Sequence, residues 1–387
     1  MTTSFVIPKR ILMTADTVGG VWTYAMELCR ALGKYGVEIM LATMGAPLRR
    51  DQRAEAGSLW NVEVFESDYK LEWMNDPWRD VDCAGDWLLQ LEDRFEPDVV
   101  HLNQFSFGAL PSRVPKIVVG HSCVLSWWQA TKGCEASAEW NEYRTRVLEG
   151  LALANFVVAP SEAMLTALQE HYGPFAANGI VPNGRSFSRC RSSRKLDLVL
   201  GAGRLWDEAK NVAALARVAS QLPWPVYLAG ENRHPDGQET KFSQVRFLGW
   251  QSQPELQVWF ERASIFAAPA QYEPFGLGIL EAALAGCALV LGDIPSLREN
   301  WNDAALFVAP KDTTALEAAI KKLIGDPMLR QKLTTRSQYV AAQLKPERMA
   351  ENYLVVYSEM LTKARFETSP LLRQTPAPVI LKGASCI

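Results

Sequence analysis

Several features are missing from this chain, and each absence excludes something. The seven cysteines form no C-x-x-C pair, so their spacing supports neither a disulfide framework nor a zinc site. They read as mostly buried thiols of a reducing compartment. No apolar run reaches the ~18 residues of a membrane span. The opening stretch, MTTSFVIPKRILMTADTVGG, lacks the charged-then-apolar design of a secretory leader. A cytoplasmic location is therefore expected. Net charge is small, with 40 Lys+Arg against 43 Asp+Glu, so nothing global calls for nucleic acid or an anionic membrane. No short-period repeat is visible.

The chain does have length and a repeated α/β grammar. Its 387 residues exceed one ordinary core, and 48% hydrophobic with 21% charged residues describes a globular chain. RILMTAD reads as a strand that ends near the pair Gly19-Gly20. Val21, Ala25, Leu28 and Leu32 then recur at helical spacing. VEIMLATMG is the next strand, which completes the strand–helix–strand unit of a parallel sheet. PDVVHLN, KIVVGHS, LANFVVAPS and IVPNG continue the series. Residues 188–197, SRCRSSRKLD, read as a linker, after which the pattern restarts with LDLVLGAGRL, PVYLAGE, VRFLGW, SIFAAPA, ALVLGD and AALFVAP. The expected organisation is one α/β domain over 1–187, a second over 196–346, a helix over 347–364 and a tail over 365–387. Residues 1–190 are net acidic and 191–387 net basic, so an anionic ligand favours the second half.

Four constellations can carry chemistry. In QYEPFGLGILEAALAG, Glu273 precedes a glycine turn and Glu281 lies inside the helix beyond it. Gly276 and Gly278 let backbone approach a ligand, and the helix start near Leu277 offers N–H groups to an anion. The carboxylates can bind polyol hydroxyls or simply be solvated. Arg204 and Lys210 follow a strand and can neutralise a diphosphate, or serve as surface charges. GAG at 201–203 is no dinucleotide fingerprint, since Trp206 stands where the third glycine belongs. Gly19-Gly20 and His121 both sit at carboxyl ends of strands, where parallel sheets bind ligands; a plain turn and a structural histidine are the alternatives. The other histidines read as structural. Asp80-Val-Asp82 is a short D-x-D triplet and is given no metal role. Eight of thirteen Trp precede residue 191. Trp73, Trp78, Trp87, Trp127, Trp128 and Trp140 can stack on sugars or aglycones, or pack a core.

Taken in chain order, the segments G19-G20-V21, His121, V158-A-P-S161, V181-P-N-G184, R204…K210-N211 and E273-PFGLGIL-E281 resemble the retaining GT-B glycosyltransferases of family GT4, over nearly the whole chain to about residue 365. The resemblance implies two Rossmann-like domains facing across a cleft, with the last helix returning to the first. It implies that Glu281 binds the ribose and Glu273 the sugar of a nucleotide diphosphate sugar. It implies that backbone amides from Phe275 through Gly276 and Leu277 to Gly278 cradle sugar and phosphate. Arg204 and Lys210 would clamp the diphosphate, the Gly19-Gly20 loop would close on the donor, and His121 would orient the sugar. No cofactor or metal is expected beyond this co-substrate, and the partner is a small hydroxyl acceptor (a sugar, polyol or aglycone). GDIPSLREN departs from the glycine-rich turn of many relatives, leaving Glu299 as a donor contact or a solvated acid. The alternatives are an epimerase-like activity on the same fold, a sucrose-type synthase, and a binding protein without turnover. A nicotinamide-dependent dehydrogenase fails on the incomplete glycine fingerprint.

Overall fold

A computed structural model describes residues 5–187, 194–234, 237 and 239–368. The start of the expected linker, 188–193, and the tail from 369 lie outside the described residues.

The first half forms a seven-stranded sheet among the described residues. Its strands are β1 (Arg10–Asp16), β2 (Glu38–Met44), β3 (Val62–Glu66), β4 (Val99–Leu102), β5 (Lys116–Val119), β6 (Phe156–Ala159) and β7 (Asn178–Ile180). They run in the order β3-β2-β1-β4-β5-β6-β7, with every neighbour parallel. The second half forms a six-stranded parallel sheet from β8 (Leu196–Ala202), β9 (Val226–Ala229), β10 (Arg246–Gly249), β11 (Ala263–Ala268), β12 (Ala288–Gly292) and β13 (Ala305–Val308), in the order β10-β9-β8-β11-β12-β13. Strands such as VVHL, KIVV and FVVA are buried along their whole length. Helices cover both faces, so these strands show continuous apolar runs and no alternation. Strand order reverses between β1 and β4 in one sheet and between β8 and β11 in the other. These are the two crevices where a doubly wound sheet accepts ligands.

The sequence reading did not identify β3 or seven of the α-helices. VEVFE is a half-exposed edge strand that carries two glutamates, Glu63 and Glu66, in five residues, so its apolar signal is weak. Helix Trp78–Phe95 carries the D-x-D triplet with Trp78 and Trp87, and it buries Val81, Ala84, Leu88 and Leu91 on one face. Helices Arg50–Gly57, Val124–Lys132, Asn141–Leu153, Pro295–Trp301, Thr313–Gly325 and Pro327–Ala341 complete the set.

The last helix, Pro346–Thr368, lies on the first sheet's side. Met349, Tyr353, Tyr357 and Met360 share one core cluster with Ile11, Leu28, Val119 and Val158. The chain therefore crosses between the two sheets twice, and the crossings touch. Arg185 N donates to Leu344 O at 3.1 Å. A Cβ at Gly184 would fall 2.4 Å from the backbone of Lys345 and Pro346, so only glycine fits beneath the second crossing. Gly184→Ala is expected to cost about 1–3 kcal/mol by overpacking rigid backbone. Urea unfolding checks this, and an unchanged midpoint would mean that the crossings separate freely.

Candidate active site

The two sheets present their switch points to one cleft of about 1520 Å³. Helix Leu277–Leu284 starts after Gly276, whose φ of +90° and 2.8 Å Cβ approach to Ile279 both require glycine. The N–H groups of Leu277 and Gly278 have no intrahelical acceptor. A Cβ at Gly278 would meet nothing within 4 Å, so that backbone lies open to the cleft. The loop after β1 comes up against the same helix end. A Cβ at Gly20 would lie 3.5 Å from Leu277, and one at Gly19 would lie 3.7 Å from Arg204. Phe275 is buried beneath the turn, in the second sheet's core.

Arg204 and Lys210 both face the cleft. Arg204 Nη2 pairs with Asp207 at 3.0 Å, and Lys210 Nζ pairs with Glu273 at 2.5 Å. Burial pushes the Asp207 carboxyl up, but Arg204, Lys210 and hydrogen bonds from Trp127 and the Ala209 N–H outweigh it and hold Asp207 below its ordinary value. The Trp127 indole donates to Asp207 at 2.9 Å from the other half of the chain. Ser296 Oγ donates to the carbonyl of Glu273 at 2.6 Å, so the segment GDIPSLREN props the Glu273 turn.

Glu281 is buried and already paired. Arg185 Nε meets its Oε1 at 2.6 Å, while Arg185 Nη1 pairs with Glu27 on helix Gly20–Gly33. Burial raises the Glu281 carboxyl; Arg185 opposes this and Glu27 adds to it. Ribose at Glu281 would share this carboxylate with Arg185. The sequence reading missed Arg185.

His121 lines the cleft, and burial lowers its imidazole to about 3. Its Nε2 lies 2.7 Å from Asn103 Oδ1. The Asn103 amide nitrogen donates to Thr14 O at 2.5 Å, so its oxygen faces the ring. The imidazole therefore carries its proton on Nε2 and keeps a lone pair on Nδ1. Tyr24 packs on it at 4.4 Å between ring centroids and also meets His101. His101 is fully buried between Tyr24 and Tyr357, in keeping with a structural role.

Other sequence candidates fall elsewhere. Glu299 neither faces the cleft nor is merely solvated. It accepts from the backbone N–H groups of Glu162 and Ala163 and so caps a helix of the first half. Asp80 accepts from Lys70 N, and Asp82 pairs with Arg146. Trp78 lies under Arg146 and Trp87 packs on Tyr69. Trp73, Trp127, Trp128 and Trp140 line the cleft. His234, read as structural, also lines it, beside Trp206. Asp16, another residue the sequence reading passed over, is buried at the end of β1. No helix of the described residues is long and apolar enough to cross a membrane.

Two opposed α/β sheets with a cationic, glycine-lined crevice between them define the GT-B class of fold. Comparison with known proteins agrees. A family profile described as "Glycosyltransferase Family 4" matches residues 18–189, and one described as "Glycosyl transferases group 1" matches 197–326. The chain belongs to this family of glycosyltransferases. It is 31% identical over 206 residues to a glycogen synthase of Mycobacterium tuberculosis, covering 47% of this chain and 50% of that one. It is 29% identical over 164 residues to the O-antigen chain mannosyltransferase B of Escherichia coli, covering 39% and 43%. The matches thus span about half the length of these curated relatives. Among solved structures, the sucrose-phosphate synthase of Thermosynechococcus elongatus superposes with TM-score 0.74 at 17% identity, covering 93% of this chain and 100% of that one. Anabaena HepE, solved with UDP and glucose, gives 0.70 at 17%, covering 91% and 99%.

Asp16 generates a pH prediction. Burial raises its carboxyl to about 7, against the Val18 N–H, the Arg204 charge and the Trp73 indole. In the unfolded chain it titrates near ~4. Between those values the folded chain holds a proton that the unfolded chain has released, so stability falls as pH rises from about 4 to about 7. The full loss is on the order of 4 kcal/mol. Asp16→Asn should therefore resist urea better than wild type at pH 8 and lose that advantage toward pH 4. Parallel stability curves would remove the raised pKa.

Proposed function

We propose that the chain transfers a hexose from a nucleotide diphosphate sugar to a hydroxyl of a small acceptor, with retention at the anomeric carbon. The observation that carries this is the meeting of Arg204, Lys210 and the open helix end at Leu277 beneath the Gly19-Gly20 loop. Glycosyl transfer breaks the bond from the anomeric carbon to a phosphate oxygen. Negative charge grows on the departing diphosphate while the sugar takes on oxocarbenium character. Two fixed cations and two unpaired N–H groups answer that charge without reorganisation. Glu273, held by Lys210, would accept from sugar hydroxyls, Glu281 from the ribose, and His121 Nδ1 from a further hydroxyl.

Retention is supported by the state of the nearby carboxylates. Glu273 and Asp207 are each bound to a cation, which blunts them as nucleophiles. The departing phosphate is then the base that takes the acceptor's proton, and attack comes from the face the diphosphate leaves. The cations of this chain meet the leaving group's charge directly, so the proposed reaction needs no metal ion.

Two measurements test the reading. Thermal unfolding with UDP, GDP, ADP and NAD should show stabilisation by one nucleoside diphosphate and none by NAD. Ligand at ~100 times its Kd adds about 2.7 kcal/mol. A shift with NAD alone would replace a transferase with a dehydrogenase. Arg204→Ala combined with Lys210→Ala should lower kcat by several orders of magnitude, at about 3 kcal/mol for each lost interaction. Near-normal turnover would refute the leaving-group argument.

A further inference from the structure

The first sheet's switch point holds polar groups that the donor chemistry leaves unused. β1 and β4 are parallel neighbours; Asp16 ends β1, and Gln104 lies two residues beyond the end of β4. Both line the cleft, and both are buried, at 7% and 5% exposure. Gln104 stands out because neither its Nε2 nor its Oε1 has a hydrogen-bond partner. An orphaned buried amide costs stability unless something arrives to pair with it. Its neighbour Asn103 is fully committed to Thr14 and His121, so the unmet capacity belongs to Gln104 alone in this row.

The surrounding wall is aromatic. Trp73 stands beside Asp16. Trp127, Trp128 and Trp140 follow one another along the cleft, with centroids 6.0 and 6.5 Å apart. Positive charge is scarce on this side. Among the described cleft-lining residues of the first half, Arg49 is the one Lys or Arg; it stacks on Trp250 at 4.8 Å and pairs with Asp51 at 3.3 Å. The other cations of the cleft, Arg204, Lys210 and Arg233, belong to the second half.

We propose that Asp16 and Gln104, walled by Trp73 and Trp127, form the acceptor subsite, and that the acceptor it takes is an unphosphorylated saccharide. This rests on the transferase reading and names the class of its second substrate. A pyranose ring offers an apolar C–H face to the indoles. Its vicinal hydroxyls both donate and accept, so one can donate to Asp16 while the next accepts from Gln104 Nε2. A phosphate ester would bring a charge of about −1.5 to −2 beside Asp16, and the cation whose charge reaches Asp16, Arg204, is already paired with Asp207.

The test uses the full chain with the nucleoside diphosphate that stabilises it. Tryptophan fluorescence is followed while methyl glucoside, methyl mannoside and their 6-phosphates are added. A neutral glycoside should perturb the signal and bind at least tenfold tighter than its phosphate. Gln104→Met should weaken that glycoside at least tenfold, keep nucleotide affinity within twofold, and leave the unfolding midpoint equal or higher, since the orphaned amide is gone. A purely structural Gln104 would instead lower the midpoint and leave glycoside affinity alone. Tighter binding of the phosphate, unchanged affinity in the variant, or no response to any glycoside while the nucleotide binds would each overturn the subsite. Failure of every nucleotide to bind would instead sink the transferase reading, and glycoside binding under that condition would still support the subsite.

Discussion

One largely buried guanidinium ties the two halves of the cleft together. Arg185 reaches Glu27 on the first helix of one half and Glu281 on the helix of the E-x7-E segment in the other. The two carboxylates have side-chain exposures of 1% and 6%, and Arg185 has 14%. The single hydroxyl of Ser186 lies 2.7 Å from each oxygen of Glu27 and donates to that carboxylate, and Arg30 lies 3.4 Å away. Removing one member of such a group typically costs about 3–5 kcal/mol, because the partners are left charged and out of water. The helices so joined are Gly20–Gly33 and Leu277–Leu284, whose first residues form the two lips of the crevice. Arg185 thereby links the helices behind those lips. It also holds Glu281, the carboxylate proposed for ribose, so under that proposal nucleotide binding and the relative placement of the two halves would draw on the same charge.

The two walls divide the electrostatic work. The second sheet contributes cations and helix N–H groups, suited to a diphosphate. The first contributes aromatic rings, a buried carboxyl, an unpaired amide and a neutral imidazole, suited to hydroxyls. Lines of contact across the cleft, from Trp127 to Asp207 and from Ser161 to Pro274 O, hold the walls in register without moving cations to the neutral side. The acidic bias of the first half of the sequence and the basic bias of the second are the coarse image of this division.

Much of this was legible in the sequence, for physical reasons. Buried parallel strands announce themselves as apolar runs, and Gly276 with the apolar helix behind it marks a turn that few folds need. Arg204 and Lys210 were legible because they follow such a strand closely. Residues defined by distant partners were not. Arg185 follows VPNG without any local signal, its carboxylates lying 158 residues before it and 96 after. Gln104 is unremarkable until the fold buries it without a partner, and Asp16 until its water is removed. Glu299 invited a ligand role because the helix end it caps belongs to the other half of the chain. The edge strand β3 was obscured by its shortness and its two glutamates.

The last helix has a consequence for how the molecule is made. Met349, Tyr353, Tyr357 and Met360 fill the core under β1, β5 and β6, and Tyr357 completes the bond network of His101. The second sheet draws its strands from a continuous stretch, Leu196 to Val308, and needs nothing from the chain's end. During synthesis the ribosome delivers the first sheet's strands earliest and its covering helix last. The half that emerges second is therefore the one able to finish folding first, and the earlier half waits with an open apolar face. That interval, set by translation speed and not by stability, is when this chain is most exposed to aggregation.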